Sequence, residues 1–223
     1  MPTNKIVVIP EGVDIEVFTF NRNTSEFKTE NNLSNKFIIL MVGRMSKIKG
    51  IDYLLKAADI LVNKWGYTDV LFIIIGPVSS IQLGKDRPLD VRQSLRFVND
   101  HGLSDNVKFT GVVSREKLLL FYSACDVFVL PSLAELFPMV ITEAMASGKP
   151  IIATSVGAVK EQVHDTWNGF LIAPRNERQI AEKIKFMIDN PEERKSMGFN
   201  SRSYVEKNFD YKIIANKFSQ IQY

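Results

Sequence analysis

Two acids frame the segment LPSLAELFPMVITEAMASGKP, Glu135 and Glu143, eight positions apart. A continuous helix would hold them about 12 Å from each other, and a partly looped path changes that figure. Carboxylates that work together on one bond stand roughly 5 to 9.5 Å apart, so the spacing does not describe a catalytic pair. It suits two acceptors that grip opposite ends of an extended, hydroxyl-bearing ligand. Further upstream, GRMSKIKG sets Arg44, Lys47 and Lys49 between Gly43 and Gly50. Cationic side chains beside a glycine turn and a helix start converge on an anion. Arg44 and Lys49 would neutralise a diphosphate while the glutamates accept from hydroxyls on either side, which is the order of groups in a nucleotide sugar. The spacing GxxxxGK[ST] is missing, which argues against a P-loop nucleoside triphosphatase.

Other candidates follow apolar runs. Gly76, in IIIGPVSS, allows close backbone approach to a ligand. Val112 and Val113, in FTGVVS, offer apolar and backbone groups that can clasp a flat ring or simply pack. His101 and His164 have no partners at metal-ligand spacing, and the single cysteine, Cys125, offers no soft-ligand cluster and no internal disulfide. Cys125 reads as a small buried hydrophobe. No metal site is expected.

The elements that must position these residues alternate along the chain. FIILMVG, VLFIIIG, NVKFTG, DVFVLP, PIIAT and GFLIAP read as short strands. Helical patterns lie at residues 50–66, 89–102, 114–124 and 139–148, and in two terminal stretches that Pro191 separates. Ser114 suits a helix N-cap, although Lys117 stands where a capping-box acid would be. KIVVIP reads as an additional short strand, and residues 77–90 as a turn-rich insertion. Such alternation predicts an α/β fold, a three-layer Rossmann-like α/β/α domain with a mainly parallel sheet. Ligands of such sheets sit beyond the carboxyl ends of the strands, where all the candidates above fall.

With 223 residues and a net charge of +3, the chain can bury a substantial core and is not a nucleic-acid-binding composition. Neither a membrane-spanning run nor a secretory leader follows the first methionine, and a cytoplasmic location, including the cytoplasmic face of the membrane, is expected. Basic and apolar residues in the terminal helices suit peripheral contact with an anionic membrane as well as a solvated face.

The pieces VIPEGVDIEVF, GRMSKIKGIDYLLKA, NVKFTGVVS, FYSACDVFVLPSLAELFPMVITEAMASGKPIIATSVGAVKEQV and NGFLIAP stand in an order that resembles one family. They look like the C-terminal, donor-binding domain of retaining glycosyltransferases of the GT-B fold, the glycosyl transferases group 1 or glycosyltransferase family 4. The resemblance implies transfer of a sugar from a UDP-, GDP- or ADP-sugar to a hydroxyl acceptor, without a separate cofactor. It implies that Arg44 and Lys49 hold the diphosphate, Glu135 lies by the donor sugar, and Glu143 binds ribose hydroxyls. Phe137, Pro138, Met139 and Val140 supply backbone near sugar and phosphate, Val112 and Val113 receive the base, and Gly43 and Gly76 belong to the same binding surface. An acceptor glycan, lipid or small molecule would be held by an N-terminal domain.

In those terms residues 1–19 are a linker-derived segment, 20–36 a surface loop, and 37–190 the nucleotide-sugar-binding domain. Residues 191–223 are helices that pack toward the N-terminal domain. Two departures stand out. Relatives carry glycine near positions 136 and 138, where this chain has Leu136 and Pro138. Leucine narrows the space by the sugar, and proline removes an N–H that would face the ligand. These two residues motivate the alternative of a non-catalytic nucleotide-binding or protein-interaction module with a degenerate donor site.

Overall fold

A computed structural model of the chain describes residues 6–77 and 91–220. Most of the expected insertion at 77–90 lies outside the described residues. Six parallel strands form one sheet in the order β3-β2-β1-β4-β5-β6. They are β1 (Phe37–Val42), β2 (Val70–Ile75), β3 (Val107–Gly111), β4 (Val127–Leu130), β5 (Ile151–Thr154) and β6 (Gly169–Ile172). All five pairings are parallel, so each strand returns through a crossover and both sheet faces are covered.

Strand periodicity decides which side chain enters which layer. In β1, Ile39 and Met41 join the core layer that packs beneath α2 (Ile51–Asp59), α3 (Val91–Asp100) and α7 (Glu177–Asp189). Ile38, Leu40 and Val42 point to the opposite layer, under α4 (Arg115–Ala124) and α5 (Met139–Ala146). The unbroken apolar run that marks β1 is thus two interleaved faces. α8 (Pro191–Asn208) starts with Pro191 in its first turn and packs along α5. Val205 of α8 belongs to the second core layer, so the segment expected to face another domain is also part of this domain's own core. Arg202 of α8 is stitched inward, donating to the carbonyls of Phe18 (2.9 Å), Ile15 (3.1 Å) and Ala146 (2.6 Å).

Several expectations need correction. The stretch 20–36 is not wholly loop: Ser25–Glu30 form a helix, α1. Its Phe27 is buried edge-to-face on Phe121 with ring centroids 5.0 Å apart, and Leu33 just beyond it is also buried. Phe27 and Leu33, isolated in a polar stretch, make no periodic pattern, yet both reach the core. KIVVIP forms no strand over the described residues 6–10. The entering segment instead pairs at Val13, whose N–H donates to the Phe209 carbonyl at 2.8 Å and whose carbonyl accepts from Tyr211 N–H at 3.0 Å. An apolar run becomes a strand only where a sheet edge receives it. The helix expected over 50–66 ends as α2 at Asp59 and continues as a π-helical turn, Ile60–Lys64. Between β5 and β6 lies an unexpected single turn, α6 (Val159–Gln162), and α9 (Tyr211–Ser219) closes the described chain.

Strand order reverses between β1 and β4, which pair through Ile39 with Val127 and Leu40 with Phe128. Connections leave these two strands in opposite directions, so a crevice opens beyond their carboxyl ends. The crevice walls touch at Gly50, which caps the 3₁₀ turn Lys47–Lys49 with a φ of 69°. A Cβ at Gly50 would stand 2.0 Å from the Pro131 carbonyl oxygen, whereas one at Gly66 (φ of 77°) would meet nothing within 4 Å. Gly50→Ala and Gly66→Ala share the left-handed backbone penalty of about 1–2 kcal/mol, and only the first adds a backbone collision. Urea unfolding should show Gly50→Ala to be the more destabilised by at least about 1 kcal/mol. Equal losses would mean that the two loops part without cost.

Candidate active site

The loops after β1, β2 and β3 are bound edge to edge through their backbones. Gly43 N–H donates to Ile75 O (2.9 Å), Met45 N–H to Pro77 O (2.9 Å) and Gly76 N–H to Gly111 O (3.0 Å). Gly43 and Gly76 are packed so closely that a Cβ on Gly76 would fall 1.9 Å from the Gly43 carbonyl oxygen. Arg44 follows on the exposed side of this ledge. From the other side, Leu133 N–H donates to Ile48 O at 2.7 Å, tying the loop after β4 to the 3₁₀ turn that carries Lys49.

That tie brings the charged candidates together. Lys49 Nζ lies 2.7 Å from Glu135 Oε1, with the two side chains 16% and 9% exposed. Ser132 Oγ donates to the same oxygen at 2.6 Å. Ser132 is itself fully buried, and its carbonyl accepts from Thr154 Oγ1 of β5. Glu135 is therefore held between the β1 and β5 sides of the crevice. Lys49 pairs with the acid expected at the sugar end, a contact that sequence reasoning did not anticipate.

The path from Glu135 to Pro138 is loop, and α5 starts at Met139, so the straight-helix separation of Glu135 and Glu143 does not apply. Pro138 takes the N-cap position with extended backbone, and no side chain caps α5. The amides opening α5, at Met139 and Val140, are thus ones that no side-chain cap claims. The Pro138 carbonyl accepts from Gln162 Nε2 at 3.1 Å, and Gln162 is fully buried. Asn168 Nδ2 in turn donates to Gln162 O at 3.0 Å. Phe137 turns away from the crevice and packs edge-to-face on Phe209 at 5.5 Å, so its contribution to a ligand is its backbone.

Leu136 is 90% exposed although its backbone is fixed. Its carbonyl accepts from Ala158 N–H at 3.0 Å. Gly157, at a φ of 53°, sits so close that a Cβ there would be 1.8 Å from the Glu135 carbonyl oxygen. Across the site, Val112 is 73% exposed at the end of β3, while Val113 packs into the second core layer.

Glu143, on α5, accepts from Tyr122 Oη at 2.6 Å. Tyr122 is fully buried, wedged against Phe18 (5.7 Å) and Phe128 (5.9 Å). Burial raises the Glu143 carboxyl above its ordinary value, against the Tyr122 hydrogen bond and the nearby Arg115, which lower it. Burial, and then the negative charge of Glu143, raise the Tyr122 phenol well above its ordinary value, so it remains a donor. Nothing in FYSACDVFVL marks Tyr122 as different from a core aromatic; the signal would have been its return to Glu143 across the fold. Burial also pushes Cys125 up to about 12, consistent with an inert packed thiol. Among the described residues no group of three or more His, Cys, Asp or Glu side chains is gathered to hold a metal ion.

A parallel sheet with a crevice at its switch point, cations after the first strand and two anchored glutamates after the fourth define a nucleotide-sugar-binding domain, the C-terminal half of a GT-B fold. The model of the family "Glycosyl transferases group 1" matches residues 23–204, and the chain belongs to that family. It is 30% identical over 203 residues to a D-inositol 3-phosphate glycosyltransferase of Paenarthrobacter aurescens, covering 91% of this chain and 48% of that protein. Identity to the capsular polysaccharide biosynthesis glycosyltransferase CapM of Staphylococcus aureus is 31% over 215 residues, covering 95% and 53%. The chain thus spans about half the length of these curated relatives. Among solved structures, Anabaena HepE in complex with UDP superposes with a TM-score of 0.85 at 25% identity, over 96% of this chain and 56% of HepE. The C-terminal domain of the group 1 protein LpcC from Francisella tularensis superposes at 0.78 with 29% identity, over 89% of this chain and 99% of that domain.

The raised carboxyl of Glu143 carries a stability cost when ionised. Its folded-state proton affinity exceeds that of the unfolded chain, so its contribution is most favourable at acid pH and is lost as pH rises through the folded value. Glu143→Gln keeps an acceptor for Tyr122 without the buried charge. Thermal melting should place Glu143→Gln above wild type at pH 8, with the difference closing as pH falls toward 4.5, the ordinary glutamate value. A difference that widens toward acid pH would reverse the assignment of Glu143 as a buried, strained carboxylate.

Proposed function

We propose that this domain binds a nucleotide-diphosphate sugar in the β1/β4 crevice and supports its transfer, with retention at the anomeric carbon, to a hydroxyl acceptor. The observation that carries the reading is the convergence of Lys49, Glu135 and the uncapped start of α5 at the switch point, with Glu143 anchored one turn into α5. Arg44, Lys49 and the first amides of α5 stabilise the leaving diphosphate. Glu135 accepts from hydroxyls of the donor sugar, and Glu143 from the ribose. The base lies on the Val112 side, where an exposed apolar surface suits a flat ring.

Relatives about twice as long support an acceptor-binding N-terminal domain in the intact enzyme, which would hold a glycan, lipid or small molecule in polysaccharide, glycolipid or glycoconjugate synthesis. No helix among the described residues is long and apolar enough to cross a membrane. We place the enzyme in the cytoplasm, with peripheral contact at the inner membrane face through its terminal helices. The rival reading, a nucleotide-binding module without transfer activity, is favoured by Leu136 and Pro138. It predicts that the full-length protein binds nucleotide yet transfers nothing from any donor in a panel of nucleotide sugars.

UDP is the first probe, because HepE was captured with it. Calorimetric titration with UDP, GDP and ADP should show binding of at least one. Lys49→Ala and Glu143→Ala should each weaken it tenfold or more, about 1.4 kcal/mol. Adding EDTA should leave the affinity unchanged, since Arg44 and Lys49 supply the positive charge. Wild-type affinity in both folded variants would remove the crevice as the donor site.

A further inference from the structure

The ion pair between Lys49 and Glu135 sets two demands against each other. Glu135 holds Lys49 at 2.7 Å in a largely enclosed setting, where opposite charges attract more strongly than in water. A diphosphate that takes Lys49 arrives beside a carboxylate of its own sign. Ser132 does not relieve this, because its hydroxyl gives Glu135 one hydrogen bond on Oε1 and no positive charge. The short tie between Leu133 and Ile48 keeps the two loops from separating to dilute the repulsion.

Resting on the donor-site reading above, we propose that Glu135 is a counter-charge that Lys49 exchanges for the donor's diphosphate, and that it discriminates substrate from product. An intact nucleotide sugar offers hydroxyls that replace the hydrogen bonds Glu135 surrenders with Lys49. A bare nucleoside diphosphate, whose ribose hydroxyls lie at Glu143, offers none at Glu135. Once the sugar has left, Glu135 is short of a donor and close to an anion, and re-forming the pair with Lys49 drives the diphosphate out. Glu135 thus lowers product affinity more than substrate affinity, and speeds turnover by speeding release. The exchange component of its effect runs through Lys49 as the shared partner, which separates it from a residue that merely shapes the loop.

The test uses the 223-residue chain and whichever of UDP, GDP or ADP binds wild type most tightly. Glu135→Gln keeps an acceptor for Ser132 but removes the charge. Calorimetry should show the nucleoside diphosphate binding about tenfold more tightly, about 1.4 kcal/mol. The corresponding nucleotide sugar should gain less than threefold or lose affinity. In the Lys49→Ala background the Glu135→Gln gain should shrink to what direct repulsion alone contributes, and a gain as large as in wild type overturns the exchange. Unchanged or weaker diphosphate binding in Glu135→Gln, with Lys49→Ala still damaging, overturns the exchange while sparing the donor site. No effect of Lys49→Ala overturns the donor site itself. Should Glu135→Gln fail to fold, Ser132→Ala keeps the question open to measurement. It removes the hydrogen bond that Glu135 keeps when it gives up Lys49, so the diphosphate should bind about twofold more weakly, and unchanged or tighter binding there counts against the exchange.

Discussion

Pairing of β1 with β4 is the constraint on which the rest of the structure depends, because these neighbours send their connections to opposite sides of the sheet. One strand delivers a turn rich in cations, and the other delivers a loop and helix rich in acceptors. Neither segment has a binding surface by itself. The crevice between them supplies one, and it exists because parallel crossovers cannot fill the place where the winding direction changes. Two backbone contacts then set its width: the Gly50 close approach to Pro131 and the Leu133 N–H bond to Ile48.

Charge is placed in this crevice at a cost to folding. Lys49 and Glu135 are both mostly removed from water and compensate each other, a trade that leaves little net stabilisation. Glu143 makes no ion pair among the described residues, Arg115 offsetting its burial only from nearby, and it leans on a tyrosine hydroxyl whose ring is locked among aromatic neighbours. A packed hydrocarbon in either place would serve the fold better. What the charges give is an acceptor and a donor held at fixed positions.

The layer architecture was legible in the sequence because it follows from apolar periodicity, and six short apolar runs ending near glycine or proline became the six strands. The positions of Arg44, Lys49, Glu135 and Glu143 just beyond β1 and β4 were legible because the strands themselves were. What escaped notice came from contacts between distant segments. The Lys49 to Glu135 pair spans 86 positions, and the Tyr122 bond to Glu143 joins two helices. Gln162, which fixes the Pro138 carbonyl, reads in sequence as an ordinary polar residue. Local pattern likewise failed for α1 and for residues 6–10. In the first, two isolated apolar side chains sufficed to dock a helix; in the second, a strand-like run had no edge to join.

Gly157 and Ala158 have a consequence for how this site changes over time. They hold the main chain of residues 135–136 from behind, so the loop keeps its course without help from the Leu136 side chain. Position 136 is consequently uncoupled from folding: its side chain stands in solvent at the crevice mouth while its carbonyl does the structural work. Mutational drift there meets little resistance from stability. A lineage can change the surface beside Glu135 through such a position in single steps, with the buried groups behind it left intact.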